Sequence, residues 1–141
     1  MKKVLVADDK ATSRELIRTV LESSGYSVIE AKDGIEALQR ATECSPDLII
    51  LDLQMPGLDG FGVIAELRRN DRFASVPIMA LTASAMPTDR QRAMAAGFDG
   101  YVSKPIPLST LREEVDRLAR KGETDPNRAT RCHAGGSGST Q

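Results

Sequence analysis

Tryptophan is absent from this chain, histidine occurs once, and cysteine occurs twice, at Cys44 and Cys132. The two cysteines lie in different regions, and neither sits in metal-ligand spacing. So few cysteines point to a reducing cytoplasm. An excess of either charge is missing as well. Lys plus Arg total 19 against 20 Asp plus Glu, for a net charge of -1, which leaves no electrostatic footprint for nucleic acid or an anionic membrane. No apolar run approaches the ~18 residues that a membrane span needs. A signal peptide is excluded too. Met1-Lys2-Lys3 leads into four apolar residues, Val4 to Ala7, and the acidic pair Asp8-Asp9 follows at once, too early for a secretory core. What remains is a chain of 141 residues, 40% hydrophobic, which suits one soluble α/β domain with a real core.

The punctuation of the chain is regular. Residues 3–7 are a β-rich apolar run. Residues 12–24 carry a helical stripe of Leu16, Ile17, Val20 and Leu21, and Gly25 reads as the helix C-cap. Ser27 to Glu30 predicts a second strand. Asp33-Gly34 opens a helix through about Thr42, with Ile35, Leu38 and Ala41 facing inward and Pro46 beyond its end. Residues 48–53, Leu-Ile-Ile-Leu-Asp-Leu, do not alternate, so both faces of this strand are expected to be covered, as in a central parallel strand. Met55-Pro56-Gly57 is a loop, Gly60 to Arg69 a third helix, and Pro77 to Thr82 a fourth strand. Pro87 to Ala96 forms a fourth helix with proline in its first turn and Gly97 as its cap. Gly100 to Ser103 and Leu108 to Arg120 supply the last strand and helix. Five alternations with short loops predict an α/β sheet of parallel strands with helices on both faces. Ligands in such sheets bind beyond the carboxyl ends of the strands.

The folded domain is expected over residues 1–121. From Gly122 to Gln141 large apolar residues almost vanish, and the chain ends Gly-Gly-Ser-Gly-Ser-Thr-Gln, which predicts a disordered tail or linker. Cys132-His133 within it is at best half a metal site.

The chemistry gathers at the strand ends. The first strand ends at Asp8-Asp9, the third at Asp52, the fourth at Thr82, and Lys104 follows the fifth. A parallel sheet brings all of them to one edge. Three ionised carboxylates cannot share a cleft without a compensating cation, and a hard divalent ion such as Mg²⁺ meets that need while keeping waters and accepting phosphate oxygens. An Asp carboxylate can then act as the nucleophile toward phosphorus, with Lys104 and Thr82 receiving the phosphoryl oxygens. Each residue alone has an ordinary explanation. Asp8-Asp9 could cap the first helix, Asp52 could be a solvated strand end, Thr82 a common strand residue, and Lys104 a surface loop residue.

Taken together, Asp8-Asp9, Asp52, Thr82 and Lys104-Pro105 resemble the response-regulator receiver family of two-component signalling. Met55-Pro56, Asp59-Gly60, Thr82-Ala83, and Ala96-Gly97 before Tyr101 extend the likeness. It covers residues 2–121. The resemblance implies a flavodoxin-like sheet of order 2-1-3-4-5 and a chain that takes a phosphoryl group onto Asp52 with Mg²⁺. It implies Asp9, Asp52 and the Gln54 carbonyl as metal ligands, with Asp8 acting mostly through water. Thr82 and Lys104 would bind phosphoryl oxygens, and Tyr101 would be the aromatic switch. The Lys104–Pro105 peptide would be cis, and the readout face would include Arg90, Met94, Tyr101 and Arg112. The implied partners are a histidine kinase or phosphotransfer protein and a downstream protein, with a monomer or weak dimer as the assembly. Gln54 and Ser84 flank the expected path of the hydrolytic water.

Other readings stay open. The chain could be a stand-alone regulator of the chemotaxis type, which the loop Thr82 to Met86 favours, or a receiver cut from a larger regulator or hybrid kinase. A phosphatase working through an aspartyl intermediate usually wants a second Asp two residues after the nucleophile, and Gln54 stands there. A flavin carrier on this fold needs neutral donors after the first strand, where Asp8-Asp9 would repel the phosphate.

Overall fold

The computed structural model describes residues 2–83, 86–105 and 107–123. Strands and helices alternate as β1 Lys3–Ala7, α1 Ala11–Ser23, β2 Ser27–Ala31, α2 Gly34–Cys44, β3 Leu48–Asp52, α3 Gly60–Arg68, β4 Ile78–Thr82, α4 Pro87–Ala96, β5 Gly100–Ser103 and α5 Leu108–Glu123. A short 3-10 turn, Asp71–Phe73, precedes β4. The five strands form one sheet in the order β2-β1-β3-β4-β5, and every pairing is parallel.

The burial follows from the crossovers. Every residue of β3 and β4 is buried, because helices cover both faces of the central strands. Successive side chains part to the two sides. Leu5, Ala7, Ile49, Leu51, Ile78 and Ala80 join one core with residues of α2, α3 and α4. Val4, Val6, Leu48, Ile50, Met79 and Leu81 join the other with residues of α1 and α5. The register pairs Ala7 with Ala31 and Leu51, Asp52 with Leu81, and Thr82 with Ser103, so the carboxyl ends of the strands are level.

Three expectations need correction. Leu16 and Ile35, read as core-facing, are 52% and 57% exposed. Each sits at the edge of its stripe, where the helix has already turned away from the sheet. The last helix runs to Glu123, so Gly122 and Glu123 are helical and not tail; a single glycine lowers helix propensity without stopping a helix. Residues 124–141, including Cys132-His133, lie outside the described residues.

One side chain ties the far edge of the sheet together. Arg68, at the end of α3, donates from Nη1 to the carbonyls of Phe73 (2.9 Å), Ala74 (3.2 Å) and Val76 (2.9 Å). Its Nη2 donates to the Gly97 carbonyl at 2.8 Å and to the Asp99 carboxylate at 2.9 Å. The same Asp99 oxygen accepts the Ile78 amide at 2.9 Å. Five acceptors from two connections, the one before β4 and the one before β5, thus bond one guanidinium. Replacing Arg68 with alanine is expected to lower folding stability by about 2–4 kcal/mol, because it removes the shared donor of several partly buried carbonyls and the charged partner of the Asp99 carboxylate. Lysine should restore little, since an ammonium lacks the planar fork. Urea unfolding of the three proteins measures this; a loss under about 0.5 kcal/mol, the range of ordinary surface changes, contradicts it.

Candidate phosphoacceptor and metal site

The level strand ends bring the expected residues to one cleft. Asp8, just past β1, is fully buried. Its Oδ1 accepts the Lys10 amide at 2.9 Å and its Oδ2 accepts Lys104 Nζ at 2.8 Å. Asp52 closes β3 and is 4% exposed. Its Oδ1 accepts the Gln54 amide at 2.9 Å, and its Oδ2 accepts Lys104 Nζ at 3.0 Å. Asp9 is exposed at the mouth. One carboxylate oxygen from each of Asp8, Asp9 and Asp52 lies within 4.8 Å of the others. Thr82 closes β4, is buried, and its carbonyl accepts the Lys104 amide at 2.7 Å. The Lys104–Pro105 peptide is cis.

The Asp8 carboxylate touches the Lys104 ammonium directly. The alternative that Asp8 and Asp9 cap the first helix does not hold. Lys10 is the N-cap of α1, and no side chain closes that end.

The electrostatics explain why such a cluster persists. Burial pushes the Asp52 carboxyl above its ordinary value. The Gln54 amide and Lys104 oppose that rise, and the Asp8 charge adds to it. Burial alone would pull Lys104 down, but hydrogen bonds and charge from Asp8 and Asp52 outweigh it, so the ammonium is held above its usual value. The Lys104 ammonium pairs with two of the three carboxylates, Asp8 and Asp52. The donor set is all oxygen, two members are anchored by the backbone, and the third is exposed to water. That chemistry fits a hard divalent ion that keeps part of its hydration, as Mg²⁺ does.

Tyr101 stands on β5, half-buried against the core on the α4 side. Its hydroxyl is hydrogen-bonded with the Thr82 side chain; burial raises its pKa, and the Asp89 charge adds to that. The Arg90 guanidinium lies 6.0 Å from the ring centroid. Arg90 and, on α5, Arg112 are exposed, and Met94 on α4 is 44% exposed. Gln54 is exposed, and Ser84 lies outside the described residues.

Sequence reasoning missed Arg14. Its Nη1 donates to the Asp8 carbonyl at 2.6 Å, and its Nε donates to Glu30 at 3.2 Å, which pins the backbone between the two site aspartates. No motif marks it, because the contact joins a helix face to a strand 16 residues away.

Comparison with known proteins agrees with this geometry. The sequence model of the response regulator receiver domain matches residues 4–116. The polar-differentiation response regulator DivK of Brucella anthropi is 37% identical over 114 residues, 81% of this chain and 93% of that protein. The DNA-binding dual master transcriptional regulator RpaA of Synechocystis is 36% identical over 129 residues; the match takes in 92% of this chain and 54% of RpaA, so the chain spans about half of that regulator. Among solved structures, the chemotaxis response regulator CheY4 of Vibrio cholerae superposes with a TM-score of 0.80 at 35% identity, over 84% of this chain and 98% of that one. The receiver domain of sensor histidine kinase PA1611 from Pseudomonas aeruginosa superposes with a TM-score of 0.78 at 33% identity, over 84% and 98% of the two chains. Its structure has a magnesium ion coordinated in the active-site cleft.

Proposed function

This chain belongs to the response regulator receiver family of two-component signalling, and from that premise we propose that Asp52 is its phosphoacceptor and Asp8, Asp9, Asp52 and Gln54 its metal site. The observation that carries the reading is the buried Asp52 carboxylate at the end of the central strand, held by Lys104 and within 4.8 Å of oxygens from two further aspartates.

The donor is a phosphohistidine on a kinase or phosphotransfer protein, or a small acyl phosphate. An Asp52 carboxylate oxygen forms a bond to phosphorus as the bond from phosphorus to the donor nitrogen breaks, and the leaving imidazole keeps that electron pair. Asp9, Asp52 and the Gln54 carbonyl, with Asp8 behind them, would hold Mg²⁺, which when bound would neutralise charge on the phosphoryl oxygens. Lys104 already lies 3.0 Å from Asp52 and donates to one of those oxygens once they arrive. The Thr82 hydroxyl donates to another. The Gln54 amide keeps Asp52 oriented throughout.

The test is intact-mass spectrometry after incubation with acetyl phosphate and Mg²⁺. One phosphoryl adduct mapping to Asp52 is expected; an adduct elsewhere, or none with any donor, contradicts the assignment.

The output follows from Thr82. A phosphoryl group adds charge and three strong acceptors to the cleft. Thr82 turns toward it and gives up its hydrogen bond with Tyr101, and the ring repacks against β4. The face of α4, β5 and α5, with Arg90, Met94, Tyr101 and Arg112, then presents a different surface to a downstream protein. Asp99 is engaged by Arg68 within the chain, and Gly100 carries no side chain, so the two residues before Tyr101 present no unengaged carboxylate to a second copy on this face. A monomer that docks a protein partner is the reading adopted. The driving energy is a few kcal/mol at most, which means a shift of population between two states. Amide NMR with and without beryllofluoride, Mg²⁺ present in both, is expected to move Tyr101 and α4; shifts confined to the Asp52 cleft contradict this output.

A further inference from the structure

The segment between β3 and α3, residues 53–59, rests on the first turn of α2, and we propose that Gly34 is the positioning residue that seats it. This inference depends on the reading above, in which that segment supplies the Gln54 carbonyl to Mg²⁺.

Gly34 is buried and opens α2, directly after the N-cap Asp33. That turn is rigid. The Asp33 side chain accepts the Glu36 amide at 2.8 Å, and the Glu36 carboxylate reaches back to the Lys32 amide at 2.8 Å. A Cβ on Gly34 would overlap the carbonyl oxygen of Leu58, and it would lie 2.9 Å from both the carbonyl carbon and the Cβ of that residue. Two of those three atoms are backbone, which cannot swing aside like the end of a long side chain. Gly34 itself has ordinary helical backbone, and helix propensity favours alanine there. The glycine is therefore demanded by the loop and not by the helix.

From the other side the loop is held by α3. A Cβ on Gly60 would lie 2.7 Å from the Asp52 carbonyl oxygen and 2.9 Å from the Leu53 Cα. The loop is thus clamped between two helix starts, with its near end fixed by the Gln54 amide on Asp52. Any side chain at Gly34 must lift Leu58, and the lift passes along four residues to Gln54. Nothing about Gly34 in the sequence points to Leu58, 24 residues on; the contact exists only in the fold.

The experiment compares Gly34→Ala with Gly25→Ala. Gly25 has φ +93° and nothing within 4 Å of a built Cβ, so alanine there strains the backbone in the turn after α1, at the amino edge of the sheet, without touching the loop. Mg²⁺ affinity is measured by NMR titration of the amides of residues 53–59, and folding stability by thermal melting. Gly34→Ala is expected to weaken Mg²⁺ binding by about tenfold or more, in the range seen when residues behind metal ligands are changed. Gly25→Ala is expected to melt lower yet keep wild-type affinity. A Gly34→Ala protein that binds Mg²⁺ like the wild type overturns the inference. Should that variant not fold, hydrogen exchange on the wild type decides. Mg²⁺ should slow exchange at Glu36 and Ala37 in α2 as well as in the loop, because coupling is reciprocal; protection confined to the loop overturns the inference. If the wild type binds no Mg²⁺ at all, the parent reading fails, and this one fails with it.

Discussion

Replacing Asp52 with alanine is expected to abolish phosphoryl uptake from acetyl phosphate or a phosphorylated kinase, a loss greater than about 10²-fold, or about 2.7 kcal/mol of barrier. The size follows from what surrounds it. Asp8 cannot substitute as acceptor, because its carboxylate is fully buried beneath the Lys104 ammonium and shows no open face to an incoming phosphoryl group. Asp9 is exposed and lacks the backbone amide that orients Asp52 through Gln54. The fold should survive, since Lys104 keeps its 2.8 Å pair with Asp8 and the ionised group that burial disfavours is gone. Intact mass and a melting curve on the same sample separate loss of chemistry from loss of structure. A full-occupancy adduct on a folded Asp52→Ala protein would remove Asp52 from the role.

The residues of this site were legible in sequence because each one ends an element that announces itself. The run from Leu48 to Leu51 is apolar without alternation, so the first charge after it, Asp52, had to sit at the edge of the sheet. Thr82 and Lys104 follow apolar runs in the same way, and the structure gives β1, α4 and β5 the bounds the sequence predicted. Side-chain direction was less legible. Leu16 and Ile35 fit a helical period, yet a period says nothing of how wide a face the sheet covers. Leu16 lines an open groove with Lys10, Leu108 and Pro105, not the core. The turn at Asp71–Phe73 has three residues, too few to show a period, and rests on the Asn70 side chain accepting the Arg72 amide. What the sequence could not show at all is coupling between distant segments. Arg14 on the Asp8 backbone, Arg68 on Asp99, and Gly34 beneath Leu58 are contacts made by topology. None has a motif, because one partner in each belongs to a separate element.

Mg²⁺ is expected to stabilise the folded protein, and Asp9→Ala is expected to remove most of that effect together with phosphoryl uptake. Without the ion, three carboxylates crowd one cleft and Lys104 pairs with only two of them. Asp52 shows the cost most directly, since burial holds its folded pKa above the ordinary 3.8. The sign is fixed by that direction. The folded state binds the Asp52 proton more readily than the unfolded chain, so ionising this group costs stability at every pH above its folded value, and the loss is recovered as pH falls through that value toward 3.8. A bound divalent ion reverses the sign, because it favours the ionised form. Ligand linkage gives about 2.7 kcal/mol at a hundredfold excess over Kd. For a domain of this size that is a rise in Tm on the order of 10 °C. Asp9→Ala removes one carboxylate from the mouth of the cleft while leaving the buried Asp8–Lys104–Asp52 contacts in place. The variant should therefore melt at or above the wild-type temperature in chelator, yet gain less than about 3 °C from the same Mg²⁺, the rise expected for under 1 kcal/mol. Thermal melting of both proteins across a Mg²⁺ series, with Ca²⁺ as a second hard cation, gives the comparison. A wild-type Tm that is indifferent to saturating Mg²⁺ would overturn the metal site, and an Asp9→Ala protein that gains as much as the wild type would move the site away from Asp9.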